Sequence, residues 1–199
     1  MRKINNLIKI LTYSDILILS GWGLVNPIFA VYITSQIQGG NLELVGLASA
    51  VFLILKSFVQ IPVAKYIDQK KGEVDDAVVM TLGTFVISLV PFLFILAKSA
   101  PHVLVLQVLH GLGAALVTPG WMAIFTRHID RHQEAEEWSI YMSMTSLGMA
   151  LAGALGGFLA EAFGFKLVFV LVGIISTVGA SFLYFVYQDI RRSEKISQD

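Results

Sequence analysis

Residues 42–97 read LELVGLASAVFLILKSFVQIPVAKYIDQKKGEVDDAVVMTLGTFVISLVPFLFILA, two long apolar runs joined by a short charged loop. Each run reaches the length of about 20 residues that a helix needs to cross a hydrocarbon core of about 30 Å. Neither run alternates polar and apolar residues, and a backbone in lipid has to satisfy its own hydrogen bonds. The segment therefore predicts two transmembrane helices and excludes a β-barrel.

The rest of the chain repeats this pattern. Of its 199 residues 56% are hydrophobic, the formal net charge is zero and there is no cysteine. The mean hydropathy of +0.74 is typical of membrane proteins. Without cysteine, a disulfide framework and a thiolate site are excluded. Six apolar runs are long enough to span a membrane, at residues 7–34, 42–67, 77–97, 103–125, 138–163 and 166–187.

Basic residues are distributed unevenly between the two ends of these runs. One side has only Lys98 and Lys166. The side of the N-terminus has Arg2, Lys3, Lys9, Lys65, Lys70, Lys71, Arg127, Arg131, Arg191, Arg192 and Lys195. Because basic residues remain on the cytoplasmic side, both termini are predicted to be cytoplasmic. The chain is expected to be a multi-pass protein of the cell's inner (plasma) membrane.

The loop between spans two and three, KYIDQKKGEVDDA at residues 65–77, mixes acidic with basic residues. A topology signal needs only the cations. The interspersed acids predict paired charges, and they predict Asp75 or Asp76 as a cap of span three.

This loop also resembles a signature of the major facilitator superfamily, which has a small residue, three variable positions, an aspartate and basic residues. Here the small residue is Ala64 and the aspartate is Asp68, followed by Lys70 and Lys71. Gln69 stands where the family has its first basic residue. The resemblance implies that Asp68, Lys70 and Lys71 form a cytoplasmic gate that docks on the opposite half of a transporter.

Spans four and five carry two further resemblances to this family. In span four, LQVLHGLGAA is similar to a family motif, with Gln107 and His110 in place of its arginine and glutamine. Span five resembles the glycine-rich helix of facilitator antiporters, with Gly153 where that motif has proline. Small residues let helices approach closely in lipid, which predicts helix packing at Gly148, Ala152, Gly153, Gly156 and Gly157.

An internal repeat predicts the arrangement of the spans. Span one contains GWGLVNP at residues 21–27, and span four contains GLGAALVTP at residues 111–119. The two segments occupy equivalent places in two units of three helices, so the second unit enters the membrane from the opposite side. Asn26 and Thr118, beside the prolines, either satisfy local backbone groups or face a cavity.

Ionisable residues inside the spans mark candidate functional positions, because an intramembrane charge is costly and is usually paired or functional. Lys56 lies in the middle of span two, and Asp15 is its nearest partner by depth. Such a pair is either structural or part of coupling. His110 is either a hydrogen-bonding residue of the helix or a proton carrier, since histidine titrates near neutral pH. The predicted substrate or coupling pathway is therefore Asp15, Asn26, Lys56, His110 and Thr118.

Other classes of site have little support in the sequence. His128, His132 and Glu136 have a spacing that could hold zinc, but a charged cytoplasmic turn explains them more simply. No nucleotide-binding or hydrolase motif is present, so neither an enzyme, a cofactor, a metal nor a nucleic-acid partner is predicted.

These observations predict an all-α membrane protein, with residues 1–199 forming one six-span bundle of two inverted three-helix repeats. The resemblance implies a secondary transporter of a small solute, in the direction of efflux of amphipathic compounds, that works by alternating access. A proton is a candidate coupling ion. Facilitators have two six-span halves, so the expected partner is a second copy or a second half. A membrane scaffold or assembly partner without transport is the alternative.

Overall fold

The computed structural model describes residues 5–69 and 72–196, with side chains described as far as Arg192. Every regular element in these ranges is helical, and six helices are long and apolar enough to cross a membrane. The first span comprises α1 (Asn6–Val25), a 3-10 turn (Asn26–Ile28) and α2 (Phe29–Gln36). The other five are α3 (Leu42–Asp68), α4 (Val74–Phe94), α5 (Ala100–His128), α6 (Glu134–Phe163) and α7 (Phe165–Ile196). The predicted six-span, all-helical fold is confirmed.

Polar and glycine residues set the helix boundaries. The side chain of Asn41 accepts a hydrogen bond from the Leu44 N–H at 2.8 Å and so caps the start of α3. Gly164 has φ +83°, a conformation that costs glycine little, and it links α6 to α7 in a single residue. These short connections keep α2 beside α3 and α6 beside α7.

Several helix boundaries differ from the ends of the apolar runs. Helix α4 begins at Val74 and ends at Phe94, about one turn earlier than the run at residues 77–97. Helix α6 begins at Glu134, four residues before its apolar run, since 138 − 134 = 4. Once a helix has formed, each added residue gains a backbone hydrogen bond without the cost of a new nucleus, so charged residues can continue it beyond the hydrocarbon.

The packing of the helices repeats between the two halves of the chain. Helix α1 packs on α6 and α7, and α5 packs on α3 and α4 in the same way. The group of α1, α6 and α7 meets the group of α3, α4 and α5 mainly where α4 packs on α7. Exchanging the first three spans for the last three therefore maps the contacts of α1 onto those of α5 and the contact between α4 and α7 onto itself, as expected for two equivalent three-helix units.

Small residues allow α1 and α6 to approach closely. A Cβ added at Gly156 would lie 2.7 Å from the carbonyl carbon of Leu24, and one added at Gly23 would lie 3.2 Å from the Cβ of Ala152. Gly153 lies near Pro27, whereas among the described residues no atom beyond the neighbouring helix backbone lies within 4 Å of the position of a Cβ at Gly157. The predicted glycine-rich face is thus a contact with α1, except at Gly157.

Candidate functional site in the central cavity

A cavity of about 530 Å³ opens among α1, α3, α4, α5 and α6. Helices α1 and α5 supply most of its lining, and residues of α3, α4 and α6 complete the wall. All five residues predicted for the pathway line this cavity, namely Asp15, Asn26, Lys56, His110 and Thr118. The tertiary structure therefore brings together positions that are up to 103 residues apart in the chain, since 118 − 15 = 103.

His110 is held between two aromatic rings. Its imidazole stacks on the indole of Trp22, with a centroid separation of 4.0 Å and an interplanar angle of 10°. On α3, Phe52 lies 4.5 Å from the imidazole centroid at an angle of 41°. Ring stacking of this kind restrains the orientation of the imidazole and joins α1, α3 and α5 across the cavity.

Asp15 has a partner that the sequence did not indicate. Its Oδ2 accepts a hydrogen bond of 2.8 Å from the hydroxyl of Tyr141 on α6. Within the part of the chain that the structure describes, no ion pair joins Asp15 to Lys56. Lys56 instead lies close enough to His110 to interact with it electrostatically. The cavity thus contains an amine and a carboxylate that do not contact each other.

The two residues beside the prolines differ in their environments. The hydroxyl of Thr118 donates to the carbonyl of Ala114 at 2.8 Å, which is a local helix interaction of the kind considered from the sequence. Asn26 begins the 3-10 turn at Pro27 and its side chain is exposed. Thr118 therefore contributes mainly its methyl group and shape to the lining, while Asn26 presents an amide.

Aromatic residues form much of the remaining wall. All three tryptophans of the chain, at positions 22, 121 and 138, line the cavity. The ring of Tyr141 lies 4.8 Å from that of Trp121 and 5.9 Å from that of Trp138. Trp138 and Tyr141 did not emerge from the sequence as site residues, although their spacing of three places them on the same face of a helix.

Charged residues cluster at the end of the bundle that is predicted to be cytoplasmic. The guanidinium of Arg127, at the end of α5, binds Oδ2 of the buried Asp76 at 2.5 Å and Oε1 of Glu73 at 3.6 Å. Asp76 thus pairs with Arg127 rather than capping α4, whose cap residue Glu73 makes no side-chain capping bond. The loop between α3 and α4 therefore contains paired charges, but the partner comes from α5.

The predicted cytoplasmic gate is described only in part. Asp68 is the last residue of α3 and is exposed. Lys70 and Lys71 lie outside the described residues. Gln107, at the position of the family arginine, is buried on α5, and within the described residues its Oε1 has no hydrogen-bond partner.

Comparisons with known proteins agree with this architecture. An uncharacterized MFS-type transporter of Methanocaldococcus jannaschii is 26% identical over 181 residues, which cover 88% of this chain and 45% of that protein. The quinolone resistance protein NorA of Staphylococcus aureus is 26% identical over 158 residues, covering 79% of this chain and 39% of NorA. The chain therefore spans less than half the length of these relatives.

A solved transporter has the same fold. The crystal structure of the POT family transporter PepTSo aligns with 92% of this chain and 38% of its own, with a TM-score of 0.70 and 14% sequence identity. The family model described as Major Facilitator Superfamily matches residues 14–198. Because that match covers nearly the whole chain, this protein belongs to the Major Facilitator Superfamily.

Proposed function

We propose that this chain is one six-helix bundle of a secondary transporter that moves a small amphipathic solute across the membrane by alternating access. The observation that carries the proposal is the central cavity, which is lined by all five residues of the predicted pathway. Membership of a transporter family favours transport over an enzymatic activity.

The chemistry of the cavity favours a solute with a planar apolar part and polar groups. The rings of Trp22, Trp121 and Trp138 provide apolar surface, Lys56 provides a basic group and Asp15 provides an acidic group. NorA is a quinolone resistance protein, so efflux is the direction that we propose. Norfloxacin, a planar quinolone with an amine and a carboxylate, is a suitable probe.

A second bundle is part of the proposal. The chain spans less than half of its relatives, and α3 and α6 expose large apolar side chains, among them Phe58 (74% exposed) and Leu151 (69% exposed). Exposed apolar surface on a membrane helix can contact lipid or another helix. We propose that these two helices border a second bundle, either another copy of this chain or a second six-span half.

Transport is tested by binding and flux of norfloxacin with the reconstituted chain. Since every tryptophan lines the cavity, norfloxacin binding is expected to quench tryptophan fluorescence. Unlabelled norfloxacin preloaded in proteoliposomes is expected to exchange with labelled norfloxacin outside them. Lys56→Met should abolish exchange, whereas Lys166→Met, at an exposed position outside the cavity, should leave it unchanged. Exchange that survives Lys56→Met at the wild-type rate would refute the role of the cavity.

The second bundle is tested by disulfide cross-linking, which the absence of native cysteine makes simple. Leu147→Cys lies on the exposed part of α6, and Phe85→Cys provides a matched exposed position on α4. A second copy that packs on α6 predicts a cross-linked dimer for the first variant only. A monomer in mild detergent that neither cross-links nor exchanges norfloxacin would exclude a second copy, and it would leave a separate six-span half or the alternative, a membrane scaffold without transport.

A further inference from the structure

We propose that a side pocket between α1 and α6 conducts protons between Asp15 and the side of the membrane predicted to be cytoplasmic, with Glu137 as the proton-carrying carboxyl group. This route is separate from the central cavity through which the solute is proposed to pass. The inference rests on the proposed transport function and identifies its coupling route.

Glu137 is a buried carboxyl group at the start of a membrane helix. It lies in the first turn of α6 and is only 2% exposed, whereas its neighbours Glu134 and Glu136 are exposed. Its Oε1 accepts a hydrogen bond of 3.3 Å from the backbone N–H of Asp130. Among the described residues, no donor reaches its Oε2. A buried polar atom without a partner calls for a functional or solvent-mediated explanation.

The side pocket next to Glu137 has a volume of about 130 Å³, which is room for several waters. Helix α1 contributes Lys9, Thr12 and Tyr13 to its wall, in addition to an apolar residue. Helix α6 contributes Glu137 and Tyr141, which are four residues apart and therefore on the same face of the helix. Polar groups from both helices could hold waters between them.

Tyr141 connects the two compartments. It lines the central cavity as well as the side pocket, and its hydroxyl donates to Asp15. A phenol hydroxyl can donate one hydrogen bond and accept others at the same time. The oxygen that donates to Asp15 can therefore accept a hydrogen bond from a water in the side pocket.

The transfer step conserves protons and charge. The protonated carboxyl of Glu137 releases its proton to a water of the side pocket, which passes a proton to the hydroxyl oxygen of Tyr141. As that O–H bond forms, the original O–H bond of Tyr141 breaks and its proton moves to the carboxylate of Asp15. Glu137 ends as a carboxylate, Asp15 ends protonated, and Tyr141 and the water are unchanged.

The charged and titratable groups that face Glu137 come from three elements. Lys9 and Tyr13 face Glu137 from α1, and Asp130 faces it from the loop between α5 and α6. Glu134 and Glu136 flank it on its own helix. At the other end, Lys56 and His110 share the central cavity with Asp15.

The first test follows proton arrival at Asp15 without any solute. Because the ring of Tyr141 lies near two tryptophan rings, a pH jump on the reconstituted protein is expected to change tryptophan fluorescence, and Asp15→Asn should abolish that change. Glu137→Gln keeps the acceptor for the Asp130 N–H but cannot carry the proton, so it should slow the response roughly tenfold or more. Glu136→Gln is the matched exposed control and should respond at the wild-type rate.

The second test measures coupling in proteoliposomes with norfloxacin. Glu137→Gln should lose accumulation driven by a pH gradient but keep the exchange of labelled norfloxacin at equilibrium, whereas Glu136→Gln should keep both. Glu137→Asp, which restores a carboxyl group, should recover part of the lost accumulation. It should also recover part of the rate at which tryptophan fluorescence changes after a pH jump. A structural role alone would not separate accumulation from exchange.

The outcomes separate this inference from the proposed function. If Glu137→Gln matches Glu136→Gln in both the fluorescence rate and the accumulation, the proton route is refuted. Wild-type protein that neither binds nor moves norfloxacin would refute the proposed transport of this probe. In that event the fluorescence rates alone decide the proton route, because that measurement contains no norfloxacin.

Discussion

The close contact between α1 and α6 makes a quantitative prediction about Gly156→Ala. The added Cβ would lie 2.7 Å from the carbonyl carbon and 2.8 Å from the Cα of Leu24. Both are backbone atoms, so no side chain can rotate away to make room. The substitution therefore has to move one helix relative to the other.

The size of the effect follows from these distances. Carbon atoms in contact are normally about 3.5–4.0 Å apart, so from 2.7 Å the helices must separate locally by at least about 0.8–1.3 Å, and the carbonyl oxygen of Leu24 lies closer still. A gap of this size forfeits about a quarter to a half of the dispersion energy of the neighbouring contacts. Inserting a methylene into a tight interface typically costs about 1–3 kcal/mol, and we expect a loss of that size for Gly156→Ala.

Gly157→Ala is the matched control on the same helix. Within the described part of the chain, no atom beyond the neighbouring helix backbone lies within 4 Å of its Cβ position, and alanine favours a helix over glycine by up to about 1 kcal/mol. We expect this variant to be as stable as wild type or slightly more stable. Reversible unfolding in mixed detergent micelles, followed by circular dichroism, measures the free energy of unfolding of both variants.

The same perturbation should affect the cavity, because Asp15 lies on α1 and Tyr141 on α6. Separation of the helices should weaken that hydrogen bond and shift the emission of the tryptophans beside Tyr141. If both alanine variants unfold with the same free energy, or if Gly156→Ala is the more stable, the close packing of α1 on α6 is wrong.

Three further predictions concern individual contacts. Tyr141→Phe loses the hydrogen bond to Asp15 and should lower the free energy of unfolding by about 1 kcal/mol; no change in unfolding or in tryptophan emission would contradict the contact. Asp76→Asn weakens a buried ion pair whose guanidinium partner is partly exposed, so we expect a loss of about 1–2 kcal/mol in the same assay, against no loss for Asp75→Asn. His110→Ala removes a ring between two aromatic residues and should cost about 0.5–1.5 kcal/mol per ring contact, most of which His110→Phe should restore; equal loss in both variants would refute stacking as the cause.

The sequence predicted the spans well because a single physical requirement controls them. A membrane helix needs about 20 apolar residues, and this requirement can be counted along the chain. It also indicated Lys56 and Asp15 as candidate site residues, since a charge inside an apolar run is conspicuous, and both line the cavity. Their mutual pairing was not predicted correctly, because depth along two spans does not determine which faces of the helices meet.

Some positions of the proposed sites carried no clear signal in the sequence. Tyr141 is an ordinary residue in an apolar run until α6 places its hydroxyl on Asp15. Glu137 belongs to a run of three acidic residues in the first turn of α6, of which only Glu137 is buried. The burial of Glu137 depends on how α6 is rotated about its axis against α1. That rotation depends on the contact of Gly153 and Gly156 with α1, which lies farther along the same helix.

The sequence by itself determined that this chain is a six-span helical membrane protein, because apolar length and the location of charge depend on local composition alone. Its motifs also indicated the family. Only the tertiary structure decided that the pathway residues line one cavity, that Asp15 binds Tyr141 and that Glu137 is enclosed beside them. Those relations depend on the rotation and spacing of helices that are far apart in the chain, and side-chain packing between helices fixes both.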